Sequence, residues 1–131
     1  MSFAARSVIG KLAICCALLC PSIAFADDCS AAKSMVAEMR RDLPRLADMS
    51  TQVIGVGVDC TTRTFFYEKM ILFDPAYLEP GWQGRQQARF TALHCNHQGL
   101  ASANKWNVSE TVYDLYGAEV ITLTVSPGDC R

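Results

Sequence analysis

The sequence predicts an α+β domain: an antiparallel four-stranded sheet made of two hairpins, with two helices, in the order α-β-β-α-β-β. Three observations carry this expectation. Two stretches place apolar residues at helical spacing. Four stretches alternate in polarity or are rich in β-branched and aromatic residues. No Gly-rich phosphate loop is present and no parallel βαβ unit is required.

Residues 1–26 read as a cleaved signal peptide. Arg6 and Lys11 give a basic start, and the apolar run Leu12 to Cys20 follows. That run is about nine residues, against the roughly 20 that a membrane span needs. Pro21 and Ser22 break it. Ala24-Phe25-Ala26 then places small residues where a signal peptidase reads, just before Asp27-Asp28. Cleavage after Ala26 leaves 27–131 as one disulfide-stapled domain in the periplasm or outside the cell. Neither Leu18-Leu19 ahead of Cys20 nor Asp27-Asp28 ahead of Cys29 supplies the small residue of a lipidation site. No stable membrane anchor is therefore expected. Arg6 and Lys11 leave with the signal, so ten basic and thirteen acidic side chains remain, a net of about −3. That balance implies no basic face and argues against nucleic acid or an anionic membrane as partner.

Of seven cysteines, Cys15, Cys16 and Cys20 lie in the signal, leaving Cys29, Cys60, Cys95 and Cys130. An even number in a short exported domain reads as two disulfides. Four cysteines allow three connectivities. Cys29–Cys60 with Cys95–Cys130 is favoured, because each pair then ties a predicted helix to a strand or chain end. No C-x-x-C pair is present for a zinc ribbon or a redox motif.

Along the mature chain, Ser30 can cap a helix over 30–42 whose apolar face is Ala32, Val36, Met39 and Leu43, joined by Met35. Pro44 ends it. Residues 51–59 alternate, with Ile54, Val56 and Val58 on one face and Gly55 and Gly57 opposite, a smooth face that another backbone or helix could approach. A short polar connection leads to a second strand over 64–73, and the pair reads as a hairpin. Pro75, Pro80, Gly81 and Gly84 mark 74–84 as a loop. A second helix follows over 85–98, with Gly99 as its stop. The last hairpin joins 106–116 to 120–125, with Val108 and Val112 aligned on one arm and Ile121, Leu123 and Val125 on the other.

His94-Cys95-Asn96-His97 is the most conspicuous local string. On a helix, residues three apart share a face, so His94 and His97 could both reach a metal. A protein site needs at least three ligands and no third is indicated; histidines at a helix C-terminus are the commoner arrangement. Cys95 acting as a nucleophile would leave an odd cysteine behind. Glu110 and Asp114, on one strand face, would stand roughly 13 Å apart, beyond the ~5–9.5 Å of glycoside hydrolysis. Ser109 and Ser126 have no nucleophile elbow around them. Neither enzyme activity nor a cofactor is expected. Trp82, in the Pro/Gly loop, is the candidate protein-contact residue, with capping of the core as its alternative role.

Leu43-Pro44, Cys95, Tyr113-Asp114-Leu115-Tyr116-Gly117 and Asp129-Cys130 set out a layout. It resembles the small α+β pilotins of type II secretion, and a broad group of periplasmic proteins of similar arrangement. The likeness covers most of the mature chain and is one of layout. In that family a helix cysteine bridges to the terminal one, which implies Cys95–Cys130. Pilotins are usually lipoproteins, and this chain departs from them there. The expected function is that of a non-enzymatic periplasmic protein that binds an envelope or secreted partner, a secretion accessory being one form of it. An enzyme inhibitor or immunity-type protein using the 74–84 loop is the alternative, followed by a metal-binding protein using His94 and His97.

Overall fold

The computed structural model describes residues 20–131, with side chains described from Asp28 onward. Its elements are α1 (Cys20–Arg41), β1 (Arg45–Asp48), β2 (Thr51–Asp59), β3 (Thr64–Ile71), α2 (Trp82–His94), β4 (Asn107–Tyr113) and β5 (Glu119–Val125). The sheet has five strands in the order β1-β2-β3-β4-β5. The α+β class and the two helices stand. The four-stranded antiparallel sheet does not: the sheet is five-stranded and mixed, because β3 and β4 run parallel. The long 72–106 connection carries α2 across one face before β4 begins, so β4 enters in the direction of β3.

β1 is the strand without a sequence signal. All four of its residues are exposed, so it carries no alternation of burial. It pairs antiparallel with β2 at the sheet edge, with an irregularity between Leu46 and Asp48. The Leu43–Pro44 peptide that precedes it is cis. α1 starts ten residues earlier than the capping pattern predicts, so Ser30 lies inside the helix rather than at its cap. Pro21 occupies its first turn, where a missing N–H costs little. No glycine or further proline interrupts the residues up to Arg41.

Both helices cover one face of the sheet. Ala32 and Val36 of α1 and Phe90 of α2 join Val56, Phe65, Val108, Leu123 and Val125 in a single core. The register explains why: Val58, Phe65, Val108 and Val125 form one cross-sheet row, and Val56, Tyr67, Glu110 and Leu123 form the next. Ile54 was expected beside Val56 and is not. A bulge between Val53 and Gly55 puts Val53 in the core and leaves Ile54 exposed. The smooth glycine face is covered by neither helix nor backbone. The Phe66 ring lies over Gly57 and the Glu68 side chain over Gly55, where a Cβ would collide with each.

Among the described residues, two disulfides close the fold. Cys29 of α1 joins Cys60 in the β2–β3 turn, and Cys95 at the end of α2 joins Cys130, with Cα–Cα distances of 5.9 and 5.1 Å. Beside the first, Arg63 Nη1 donates to Asp28 Oδ2 at 2.6 Å, while its guanidinium also meets the carbonyl of Asn104 and lies over the Trp106 ring. This end of the molecule is tightly fixed.

Candidate functional site

α1 packs on β2 and α2 on β5, so β3 and β4 lie between the helices as the floor of a trough. One end is filled. The 95–106 segment folds back there, burying Ala101 completely and placing the Trp106 ring 4.8 Å from that of Phe65. Gly99 makes this return possible, because a Cβ would overlap the carbonyl of His94.

The rest of the trough is open. One cavity of about 340 Å³ lies between Met39, Leu43, Val53 and Leu93. A second, of about 230 Å³, continues from it toward Ile71, Phe73 and Trp82. Ala47, Lys69 and Glu110 line both. The floor where they meet is polar: Lys69 Nζ stands 3.0 Å from Glu110 Oε2. Tyr67 lies in the same row as Glu110, and burial, reinforced by the Glu110 charge, raises its phenol above its ordinary value. His94 closes one side. Its ring packs edge-on against Phe90 at 4.6 Å. Burial, with the Lys69 charge added, holds its imidazole below the usual range, which favours the neutral form.

Around the open end, the β1–β2 turn, the β3–α2 loop and the β4–β5 hairpin lie together, as the strand register requires. Their tips carry exposed apolar or aromatic side chains: Met49 at 97%, Tyr77 at 80% and Tyr116 at 90% exposure. Asp114 shapes the last of these tips. It is buried just past β4, where its carboxylate accepts from the backbone N–H groups of Tyr116 and Ala118.

The sequence candidates fall out as follows. Trp82 is the first residue of α2, not part of a loop, and lines the trough. The 74–84 loop is shorter than expected, because a 3-10 turn occupies Pro75–Tyr77 and α2 starts at Trp82. His94 and His97 do not share a helix face. α2 stops at His94, where Asn96 Nδ2 donates back to the Leu93 carbonyl and Ala101 and Ser102 donate to that of His94, leaving His97 exposed in a turn. Among the described residues no group of three His, Cys, Asp or Glu side chains could hold a metal. Lys69 was missed, although its signal was present. The run Phe65, Tyr67, Lys69, Ile71 alternates onto the core face, so a lysine there has to find a partner.

No protein-family profile matches the chain, and no curated protein does. Solved structures do match. The pilotin EpsS of the Vibrio vulnificus type 2 secretion system superposes with a TM-score of 0.65 at 10% identity, covering 84% of this chain and 97% of its own. The chain has the fold of that pilotin. A Pseudomonas aeruginosa protein assigned as secreted matches with a TM-score of 0.65 at 13% identity, over 81% of this chain and 95% of its own. The pilotin-like layout read from the sequence is thus shown at the level of fold. The two disulfides are consistent with an extracytoplasmic location, and among the described residues no helix is long and apolar enough to cross a membrane.

Proposed function

We propose that the chain is a non-enzymatic periplasmic or secreted protein, serving as a secretion accessory, that holds a segment of an envelope or secreted protein in the trough between α1 and α2. The observation that carries this reading is the trough itself, on a pilotin fold. It is open, its larger cavity has mainly apolar walls, its Leu93 rim is 61% exposed, and it leads to a ring of exposed loop tips. Grooves between packed elements that present apolar pockets at intervals suit an amphipathic peptide segment. Export would use cleavage after Ala26, which leaves the Asp28–Arg63 and Cys29–Cys60 ties in place.

Site-specific photocrosslinking in intact cells tests the reading. A crosslinker at Leu93 should trap one defined envelope or secreted protein, and the adduct should vanish in Met39→Asp. A crosslinker at Thr122, on the uncovered sheet face, should trap nothing specific. Equal labelling from both positions, or none from either, overturns the proposal. N-terminal sequencing of the exported protein should begin at Asp27. A second reading, enzyme inhibition through the β3–α2 loop, is favoured only by the exposure of Tyr77. It requires Tyr77→Ala to abolish protection of a secreted enzyme.

A further inference from the structure

We propose that the trough selects an acidic amphipathic segment, with Arg45 and Arg89 receiving its carboxylates from opposite walls. The inference rests on the trough being the binding site and names the chemistry of its guest. Five charged side chains line the two cavities: Arg45, Lys69, Arg89, Asp48 and Glu110. Both carboxylates are already engaged. Glu110 is held by Lys69. Asp48 accepts from the N–H and hydroxyl of Ser50 and stays ionised below its ordinary value, chiefly through the first of these bonds.

Arg45 and Arg89 are the uncommitted charges. Both are exposed, and neither has an ion-pair partner among the described residues. Arg45 opens β1 on the α1 side of the trough; Arg89 stands on α2 across from it. A chain with more acids than bases thus presents two guanidinium groups without an ion-pair partner among the described residues at its trough. A guanidinium offers a planar fork of donors that matches a carboxylate. On the open surface such a contact is weak, and it strengthens as an apolar guest displaces water around it.

The apolar walls set the rest of the pattern. Met39, Leu43 and Leu93 line the first cavity, while the second is mainly polar, with Phe73 and Trp82 set among Asp48, Ser50, Gln86 and Arg89, and the Lys69–Glu110 pair lies between them. A fitting guest has a main apolar anchor for the first cavity, a polar residue over the ion pair, a smaller apolar anchor at Phe73 and Trp82, and an acid on each flank.

Selection from a random 16-residue peptide library, against the exported full-length mature protein, tests this. Wild type should enrich Asp and Glu on the flanks of the apolar anchors. Those peptides should bind Arg45→Glu/Arg89→Glu at least about tenfold more weakly and lose affinity with added salt. Leu93→Asp should bind none of them. Both arginines are exposed, so the reversals should leave the thermal midpoint in place, which a melt confirms. If enriched peptides need Leu93 but show no acidic bias and ignore the charge reversal, the acid selection is wrong and the trough remains. If peptides bind Leu93→Asp as well as wild type, or none is enriched at all, the trough reading fails and takes this inference with it.

Discussion

Lys69 does not pair with the residue opposite it in the parallel ladder, Val112, but reaches diagonally to Glu110, which stands opposite Tyr67. The contact puts a mostly buried ion pair on the floor of the trough, Glu110 keeping 12% of its side-chain surface and Lys69 27%. Removing one member strands the other. Lys69→Met should cost about 1–3 kcal/mol, because the Glu110 carboxylate keeps its desolvation and loses its cation. Lys69→Met/Glu110→Leu should recover most of that loss. Urea unfolding of wild type, Lys69→Met, Glu110→Leu and the double variant gives the coupling; additive losses would show that the two charges do not depend on one another.

His94 makes stability depend on pH in a defined direction. Its folded value lies below the ordinary 6.5, through burial first and the Lys69 charge second. Well above 6.5 the imidazole is neutral in both states. As pH falls through about 6.5 the unfolded chain takes up the proton first, so native stability declines until the folded value is reached. Asp48 and Asp129, both lowered from 3.8, titrate below this window. The urea midpoint of wild type should therefore drop between pH 7.5 and 5.5, and that of His94→Leu should drop less. Equal slopes would remove His94 as the cause.

The disulfides close loops of 31 and 35 residues. In the chain-entropy account each restricts the unfolded chain by roughly 3–4 kcal/mol. A domain of this size has a total stability of only about 5–15 kcal/mol. Cys95→Ser/Cys130→Ser should accordingly unfold at markedly lower urea concentration, and loss of both bridges should prevent accumulation of folded protein. A non-reducing peptide map of wild type should contain Cys29–Cys60 and Cys95–Cys130 and no other pair.

Two glycines should respond differently to alanine. At Gly99 the new Cβ meets the His94 carbonyl, a backbone group fixed by bonds from Ala101 and Ser102. Gly99→Ala should cost about 1–3 kcal/mol. At Gly57 the obstacle is the Phe66 ring, which is 41% exposed and free to swing outward. Gly57→Ala should change stability by less than about 1 kcal/mol, with the added strand propensity offsetting lost ring contact. Thermal melts rank the pair, and the reverse order would mean that the 95–106 return is more pliant than the sheet.

Much of the fold could be read from consecutive residues. β2 falls on 51–59 as expected, β3 and β5 fall within two residues of their expected spans, and the core faces of β4 and β5 are Val108 with Val112 and Leu123 with Val125. Periodicity is local, so a buried face shows in the order of its own residues. The candidate site was less visible. Trp82 and His94 stand among the sequence's site candidates and line the trough; Lys69, Leu93, Arg45 and Met39 line it without being site candidates in the sequence. Each is an ordinary surface or core residue until its neighbours from other elements are known.

The sequence alone determined an α+β domain, the positions of four of its strands, and four cysteines in a pairable arrangement after residue 26. Those follow from spacing and composition, which need no partner to be defined. Tertiary structure decided that β1 forms from four exposed residues, since its pairing comes from β2 and not from a pattern of its own. It decided that β4 runs parallel to β3, because α2 crosses the sheet between them. It also decided that the two helices stand over β2 and β5, leaving a floor of β3 and β4 uncovered at one end. A trough is a gap between elements, and its shape is set by where they pack.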